Sequence, residues 1–303
     1  MISSQHNAPG RILITGASGQ LGSYVLRELR ARDWPALAWC QRPTPDLFGY
    51  SCQSVDLRDT DQVIDAFRAA NPEVVIHTAA LSGVGDCFRD PAQARQTNTI
   101  GTKLLAELAD RHSARLVYVS TDLVFDGTRS WYTETDCPAP LSVYGQTKAT
   151  AERAVLDHPR HLVLRISLMF GPSINGRPSF FQQQIDALKQ QTPCKLFSDE
   201  WRTPLHLELA ARGLLRAAST DVTGILHLGG PERLTRLEMG QRLAQFLGCD
   251  AGVLEPAVRD DVPASEPRPR DTSLNSDRWC ALFPEFPRPG FEEALASRMG
   301  NGE

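Results

Sequence analysis

Between Arg11 and Gly22 the chain reads RILITGASGQLG. A short run of β-branched and aliphatic residues is followed by glycines at 16, 19 and 22. A helical apolar stripe through Leu21, Val25, Leu26 and Leu29 then begins. Brief, continuous apolar runs fit a strand buried on both faces, and the 3.6-residue stripe fits a helix over 19–31. In such a strand–turn–helix unit each glycine has a mechanical task. Gly16 permits the tight reversal, Gly19 lets backbone approach a pyrophosphate, and Gly22 lets the helix pack close to the sheet. The helix N-terminus then turns its amides and dipole toward the anion. Glycines also serve ordinary turns, so the strand before and the helix after are what favour a dinucleotide site.

Outward from this loop the pattern repeats. Strands are expected at 11–15, Ala36–Cys40, 73–78, 115–120 and 161–167, alternating with helices at Thr60–Ala70, 92–112 and 144–156. That alternation predicts an α/β fold, a doubly wound parallel sheet of Rossmann type with helices on both faces. After Ser167 the rhythm loosens. A Gly/Pro-rich connection at 172–178 precedes a helix at Phe180–Gln190, a strand at Cys194–Phe197, a helix at Leu207–Ala218, a strand at 225–228 and a helix at 237–247. Residues 255–269 read as a polar loop. The expected division is a dinucleotide-binding domain over 10–168, with 206–230 returning to it. A smaller, partly interleaved C-terminal substrate-binding unit takes 169–205 and 231–303.

Composition narrows the classes of function. The net charge of −4 over 303 residues carries no polyanion-binding signature, so no nucleic-acid partner is expected. No apolar run is long enough for a signal peptide or a membrane span, which predicts a cytoplasmic protein with no membrane partner. Seven scattered cysteines without a CxxC pair suit reduced thiols, and no His/Cys spacing suggests a metal. Apolar helical residues at 104–108 are compatible with a homodimer and equally with a monomer core.

The second strand ends in AWCQR, with no acidic residue to take a free ribose hydroxyl and with Arg42 just beyond. An Arg there accommodates a 2′-phosphate, which favours NADP(H) and leaves NAD(H) open. The other reading of Arg42 is a solvated surface charge. Asp56 in SVDL reads either as a receiver of the adenine amino group or as a helix-start residue. YGQTK, 144–148, places Tyr144 and Lys148 four apart on one helix face. A phenol, with an ordinary pKa of about 10, is a poor acid near neutrality until a neighbouring ammonium lowers it. The pair therefore suits protonation of a carbonyl oxygen receiving hydride. VSTDLVFDG puts Ser120 and Thr121 at a strand's carboxyl end, where Thr121 bonds the reacting oxygen or merely ends the strand. Asn98 falls inside the 92–112 helix, as a distorting residue or an exposed one.

In this order and spacing TGASGQLG, HTAA at 77–80, STD and YGQTK resemble the extended short-chain dehydrogenase/reductase family. STDLVFDG, the RTP of DEWRTP, HLGGPERLT and RPRDTSL make dTDP-4-dehydrorhamnose reductases the nearest resemblance, over about 10–290. The resemblance implies that Gly16, Ser18, Gly19, Gln20 and Leu21 bind the cofactor's pyrophosphate side. It further implies that Asp56 and Leu57 flank the adenine and that Ala79 and Ala80 lie by the nicotinamide-side ribose. Thr121, Tyr144 and Lys148 would be the catalytic triad, with Lys148 also holding ribose hydroxyls. Substrate-binding would fall to Thr121 and Asp122, with Arg202 and Arg268 as forks for the diphosphate of a nucleotide sugar. Leu123, where a dehydratase carries Glu, argues against dehydration, and the lack of Cys at 122–126 argues against the fucose-synthase type. Simple 4-epimerases share the triad. Leu168 and Met169 stand where the rhamnose-type reductases carry an aromatic-rich segment. Trp201 and Trp279 read as base-stacking or packed residues, His206 as structural and Cys280 as buried. The activity implied is reduction of a nucleotide-activated 4-keto-6-deoxy sugar. The rival from another class is a silent NADP-binding regulatory subunit like the β subunit of methionine adenosyltransferase.

Overall fold

The computed structural model describes residues 10–299. β1 (Ile12–Thr15) is fully buried and lies parallel between β2 (Ala36–Cys40) and β4 (Val74–His77). β3 (Cys52–Ser54) extends the sheet beyond β2, and β5 (Arg115–Thr121) lies parallel to β4. β6 (Leu162–Ile166) and a strand at Gly224–Leu228 complete a seven-stranded sheet. Its order runs Gly224–Leu228, β6, β5, β4, β1, β2, β3. The order in which strands are added reverses between β1 and β4, the switch point beyond which ligands bind in such folds. Leu13, Val75, Leu116 and Val163 on successive strands share one core with helix residues such as Val63, Phe67 and Leu105.

The helices follow from local chemistry. Helix α1 (Gln20–Ala31) begins at Gly19 with no side-chain cap. Helix α2 (Thr60–Ala70) is capped by Asp59, which accepts from the Gln62 amide, and ends at Asn71 in the left-handed region. Asp59, not Asp56, is therefore the helix-start residue. The helix expected at 92–112 is instead three pieces, α4 (Pro91–Ala94), a π-helical turn at Arg95–Ile100 and α5 (Gly101–Arg111). The cause is Asn98, which is buried. Its side chain accepts from the Leu81 amide at 2.8 Å and donates to the Leu81 carbonyl and to Thr147 Oγ1, each at 3.0 Å. A π-turn swings that polar side chain inward. Leu105 and Leu108 of the 104–108 stripe lie in the protein's own core.

Several short strands lie outside the expected set, Cys52–Ser54 and Leu254–Ala257 among them. Cys52–Ser54 is too brief and polar to show a period. The expected loop at 255–269 opens with a strand, Leu254–Ala257, parallel to Cys194–Phe197. The first compact unit contains the chain to Ser120, Thr147–Leu164 and Ala211–Ile225. There Arg115 donates to the carbonyls of Ala217, Ala218, Thr220 and Val222 and so caps the C-terminal end of helix Leu207–Ala218.

The second unit contains Thr121–Gln146, Arg165–Ala210 and the chain from Leu226 onward. Residues 121–146, expected in the dinucleotide-binding domain, cluster here because Tyr132 bridges to Leu274, the Trp131 amide donates to Ser273 Oγ at 2.8 Å and the Val143 amide donates to Glu266 at 2.6 Å. Residues 300–303 of the expected substrate unit and 1–9, read for a leader, lie outside the described residues. Small two-stranded sheets pair Met169–Phe170 with Leu205–His206 and Trp201–Arg202 with Leu234–Thr235. Phe170 packs on Phe181 and Phe291, with Leu188, Leu243 and Leu295 in the same cluster. No helix among the described residues is long and apolar enough to cross a membrane.

Candidate functional site

The turn after β1 is shaped by closeness. Gly16 has φ +69°, and a Cβ there would lie 2.6 Å from the backbone N and Cα of Ala79. A Cβ on Gly22 would meet the Gly16 carbonyl oxygen at 2.3 Å. The Gly19 amide donates to that same oxygen at 2.9 Å, and no acidic residue occupies the first turn of α1. The positive end of the helix is thus not neutralised by a carboxylate of its own. Ser18 and Gln20 are half-buried on this loop, and Leu21 is buried in the core. Ala79 and Ala80 follow β4 and are half-buried, while Leu57 is buried. Below the loop, His77 Nδ1 lies 2.6 Å from Thr15 Oγ1 and Nε2 lies 2.9 Å from Thr102 Oγ1. The Thr102 hydroxyl donates its one proton to the Asn98 carbonyl at 2.7 Å, so His77 Nε2 carries hydrogen and Nδ1 accepts from Thr15. Burial first, then the nearby Lys148 charge, pushes His77 down to about 3, which keeps it neutral.

Beyond β2 a groove of about 620 Å³ is lined by Arg42, Asp56, Arg58, Asp86 and Arg89 among others. Asp56 is held by Arg58 in a bidentate pair, with Arg58 Nε at 2.9 Å and Nη2 at 2.5 Å. This guanidinium keeps the Asp56 carboxyl below its ordinary range. Arg89 pairs with Asp86. No carboxylate pairs with Arg42 among the described residues, and its side chain is exposed to the groove.

Helix α6 (Val143–Leu156) carries Tyr144 and Lys148 on one face, as the spacing predicted. Lys148 is buried, and its Nζ donates to the Val119 carbonyl at 2.6 Å and sits 4.1 Å from the centre of the Tyr118 ring. Burial pushes the ammonium down to about 7, while Glu152 and Cys87 act in the opposite direction. Glu152, one turn further on, is buried and accepts from Ser120 Oγ at 2.5 Å. Gly145 lets the start of this helix approach Leu123, whose carbonyl oxygen would lie 2.3 Å from an added Cβ. Thr121 ends β5, and its hydroxyl donates to Asp122 Oδ1 at 3.1 Å and accepts from the Leu123 amide at 3.2 Å. In this conformation Thr121 caps the short turn Asp122–Val124, the strand-ending role.

In the second unit Asp122 and Arg202 are both buried. Asp122 Oδ2 accepts from Ser167 Oγ at 3.3 Å and Thr272 Oγ1 at 2.9 Å, and lies 3.7 Å from Arg202 Nε. Arg202 donates further to the carbonyls of Trp201, Pro269 and Arg270. Their polar atoms are therefore engaged within the protein. Arg268 is more open, with its side chain 41% exposed, 3.8 Å from Glu200 and stacked on Phe197. Arg236, which the sequence reading missed, also faces Glu200, at 3.9 Å, and stacks on Phe180. Burial, then Arg202, pushes Arg236 down to about 10. The guanidiniums of Arg233 and Arg270 both lie against the Trp201 ring, at 4.7 and 5.2 Å from its centre. Trp279 is packed on Phe283 and Phe286, and His206 is buried edge-on to Phe170. Cys280 is half-buried rather than buried, with Arg288 donating to its sulfur. Glu152 was also missed, although a Glu four residues beyond Lys148 repeats the spacing that joins Tyr144 to Lys148.

The model of the RmlD substrate binding domain matches residues 10–301. The chain belongs to this family. Among family relatives, the probable low-salt glycan biosynthesis reductase Agl14 of Haloferax volcanii is 31% identical, across 86% of this chain and 88% of its own length. The methionine adenosyltransferase 2 subunit beta of Rattus norvegicus is also 31% identical, across 93% of this chain and 85% of its own. The dTDP-4-dehydrorhamnose reductase of Bacillus anthracis, solved in complex with NADP, superposes with a TM-score of 0.86 over 97% of this chain and 99% of its own. At 23% identity that likeness establishes the fold. The same fold occurs in solved nucleotide-sugar enzymes holding NADP or NAD.

Proposed function

We propose that this protein is an NADP(H)-dependent reductase of a nucleotide-activated 4-keto-6-deoxy sugar, with Tyr144 as proton donor. The observation that carries the reading is the buried ammonium of Lys148 one helical turn after Tyr144, on a helix facing the carboxyl end of a central strand. A cofactor fits the chain's own geometry, because the space a Cβ would fill at Gly16 and Gly22 is taken by close backbone approach beneath an uncapped helix N-terminus. Gly16, Ser18, Gly19, Gln20 and Leu21 would hold the pyrophosphate, Asp56 and Leu57 the adenine, and Ala79, Ala80 and Lys148 the nicotinamide ribose. Arg42, free of any carboxylate, would meet a 2′-phosphate, which supports NADP(H) over NAD(H). Arg268 with Arg236 would take the substrate diphosphate, with Arg202 and Asp122 shaping that wall from behind.

Bound NADPH supplies the hydride. At the substrate carbonyl, Tyr144 would give its hydroxyl proton to the oxygen. The Lys148 ammonium would stabilise the phenolate left on Tyr144, and solvent would then restore the proton. Thr121 would release Asp122 to bond the same oxygen. NADPH oxidation in the presence of dTDP-4-keto-6-deoxy sugars tests the reading, and a zero rate across them contradicts it.

A second reading has its own support. The methionine adenosyltransferase β subunit relative matches nearly the whole chain, and the Thr121 hydroxyl is occupied by Asp122. On that reading the protein holds NADP(H) without turnover and regulates a partner. Stoichiometric recovery of a synthetase in pull-downs, together with absent turnover, would favour it.

A further inference from the structure

Three consecutive residues of β5 meet two residues of α6. The Tyr118 ring faces Lys148 Nζ, the Val119 carbonyl accepts from it, and the Ser120 hydroxyl donates to Glu152. Lys148 and Glu152 are four apart on one helical face, and both are buried. Burying an ammonium without a counterion is costly, and such a group loses its proton instead. The other groups that face Lys148 do not supply the missing charge. Cys87, from the helix α3 (Val84–Arg89), donates its thiol proton to the Leu81 carbonyl. His77, from β4, is neutral and bonded at both ring nitrogens. Tyr118 offers a ring face and Val119 a carbonyl dipole. Among these neighbours Glu152 is the carboxylate.

We propose that Glu152, seated by Ser120, is a positioning residue that keeps Lys148 protonated at the pH where the protein works. Its role is electrostatic: the carboxylate, buried and bonded to Ser120, sets how much of the lysine carries charge and can act on Tyr144. The inference deepens the reductase reading and rests on it for its catalytic consequence, while the charge coupling itself needs no turnover.

The test combines four variants with two readouts. Glu152→Gln removes the charge and keeps an acceptor for Ser120. Glu152→Asp keeps the charge, Ser120→Ala removes only the seat, and Lys148→Met removes the lysine. The first readout is the thermal midpoint of the cofactor-free protein against pH, taken as the difference from Lys148→Met. An unfolded lysine titrates near about 10.4, so a folded value near 7 means the unfolded chain binds more protons between them. The lysine's destabilisation is therefore complete below pH 7 and is relieved as pH rises toward the unfolded value. In Glu152→Gln that relief should begin lower by at least about one pH unit. Glu152→Asp should restore the wild-type onset. The second readout is the pH profile of NADPH oxidation, whose alkaline limb should move down by the same shift. A Glu152→Gln midpoint lowered equally at every pH, with the onset unmoved, overturns the proposal. So does a wild-type difference from Lys148→Met that does not vary with pH. A shifted onset without NADPH oxidation keeps the coupling and removes the reductase reading instead.

Discussion

Lys148 and Tyr144 were legible in the sequence because a spacing of four on a helix is a geometric statement needing no tertiary information. Glu152 was not, since its meaning depends on Ser120 arriving from another strand. The family resemblance implies substrate contacts for Asp122 and Arg202, but both are buried and 3.7 Å apart, and Arg202 donates to three nearby carbonyls. Arg202→Ala should therefore cost about 3 kcal/mol of stability in denaturant unfolding, by taking from the buried Asp122 its nearest guanidinium partner. A ligand role alone would raise KM and leave the unfolding midpoint in place. Arg42→Ala should act oppositely. An exposed guanidinium without a carboxylate partner contributes little to folding. Its loss should weaken NADPH binding about tenfold, equivalent to about 1.4 kcal/mol, and leave NADH binding unchanged in fluorescence titrations.

Helix and strand positions followed closely from periodicity wherever an element was long and one-sided, as for α2, Phe180–Gln190 and Leu207–Ala218. Tertiary bonds overrule the local pattern elsewhere. The apolar stripe over 92–112 suggests one continuous helix, and nothing local reveals that Asn98 will reach Leu81 and Thr147. Cys52–Ser54 exists because β2 offers it an edge. At this scale the glycine loop makes the sharpest prediction. Gly16→Ala places a side chain in the left-handed region, for about 1–2 kcal/mol, and against the Ala79 backbone. NADPH binding should be lost in titrations while far-UV circular dichroism stays native. Arg115→Ala tests a purely structural element, the cap on helix Leu207–Ala218. Removing one guanidinium that serves four carbonyls should cost about 2–4 kcal/mol in chemical denaturation without altering cofactor affinity.

Ligand linkage offers a measure for the whole molecule. NADPH at a hundredfold its dissociation constant should stabilise the native state by about 2.7 kcal/mol and raise the melting temperature by roughly 5 °C. An enzyme and a silent regulatory subunit would both show that shift, so binding alone does not separate them. Turnover does. The decisive measurement is NADPH oxidation by the wild-type protein and by Tyr144→Phe, with enzymatically generated dTDP-4-keto-6-deoxy sugars. The account predicts a substrate-dependent rate that falls about 10²–10⁴-fold in Tyr144→Phe, with NADPH affinity unchanged. Tight NADPH binding with no substrate-dependent oxidation, or an equal rate in the variant, would contradict it.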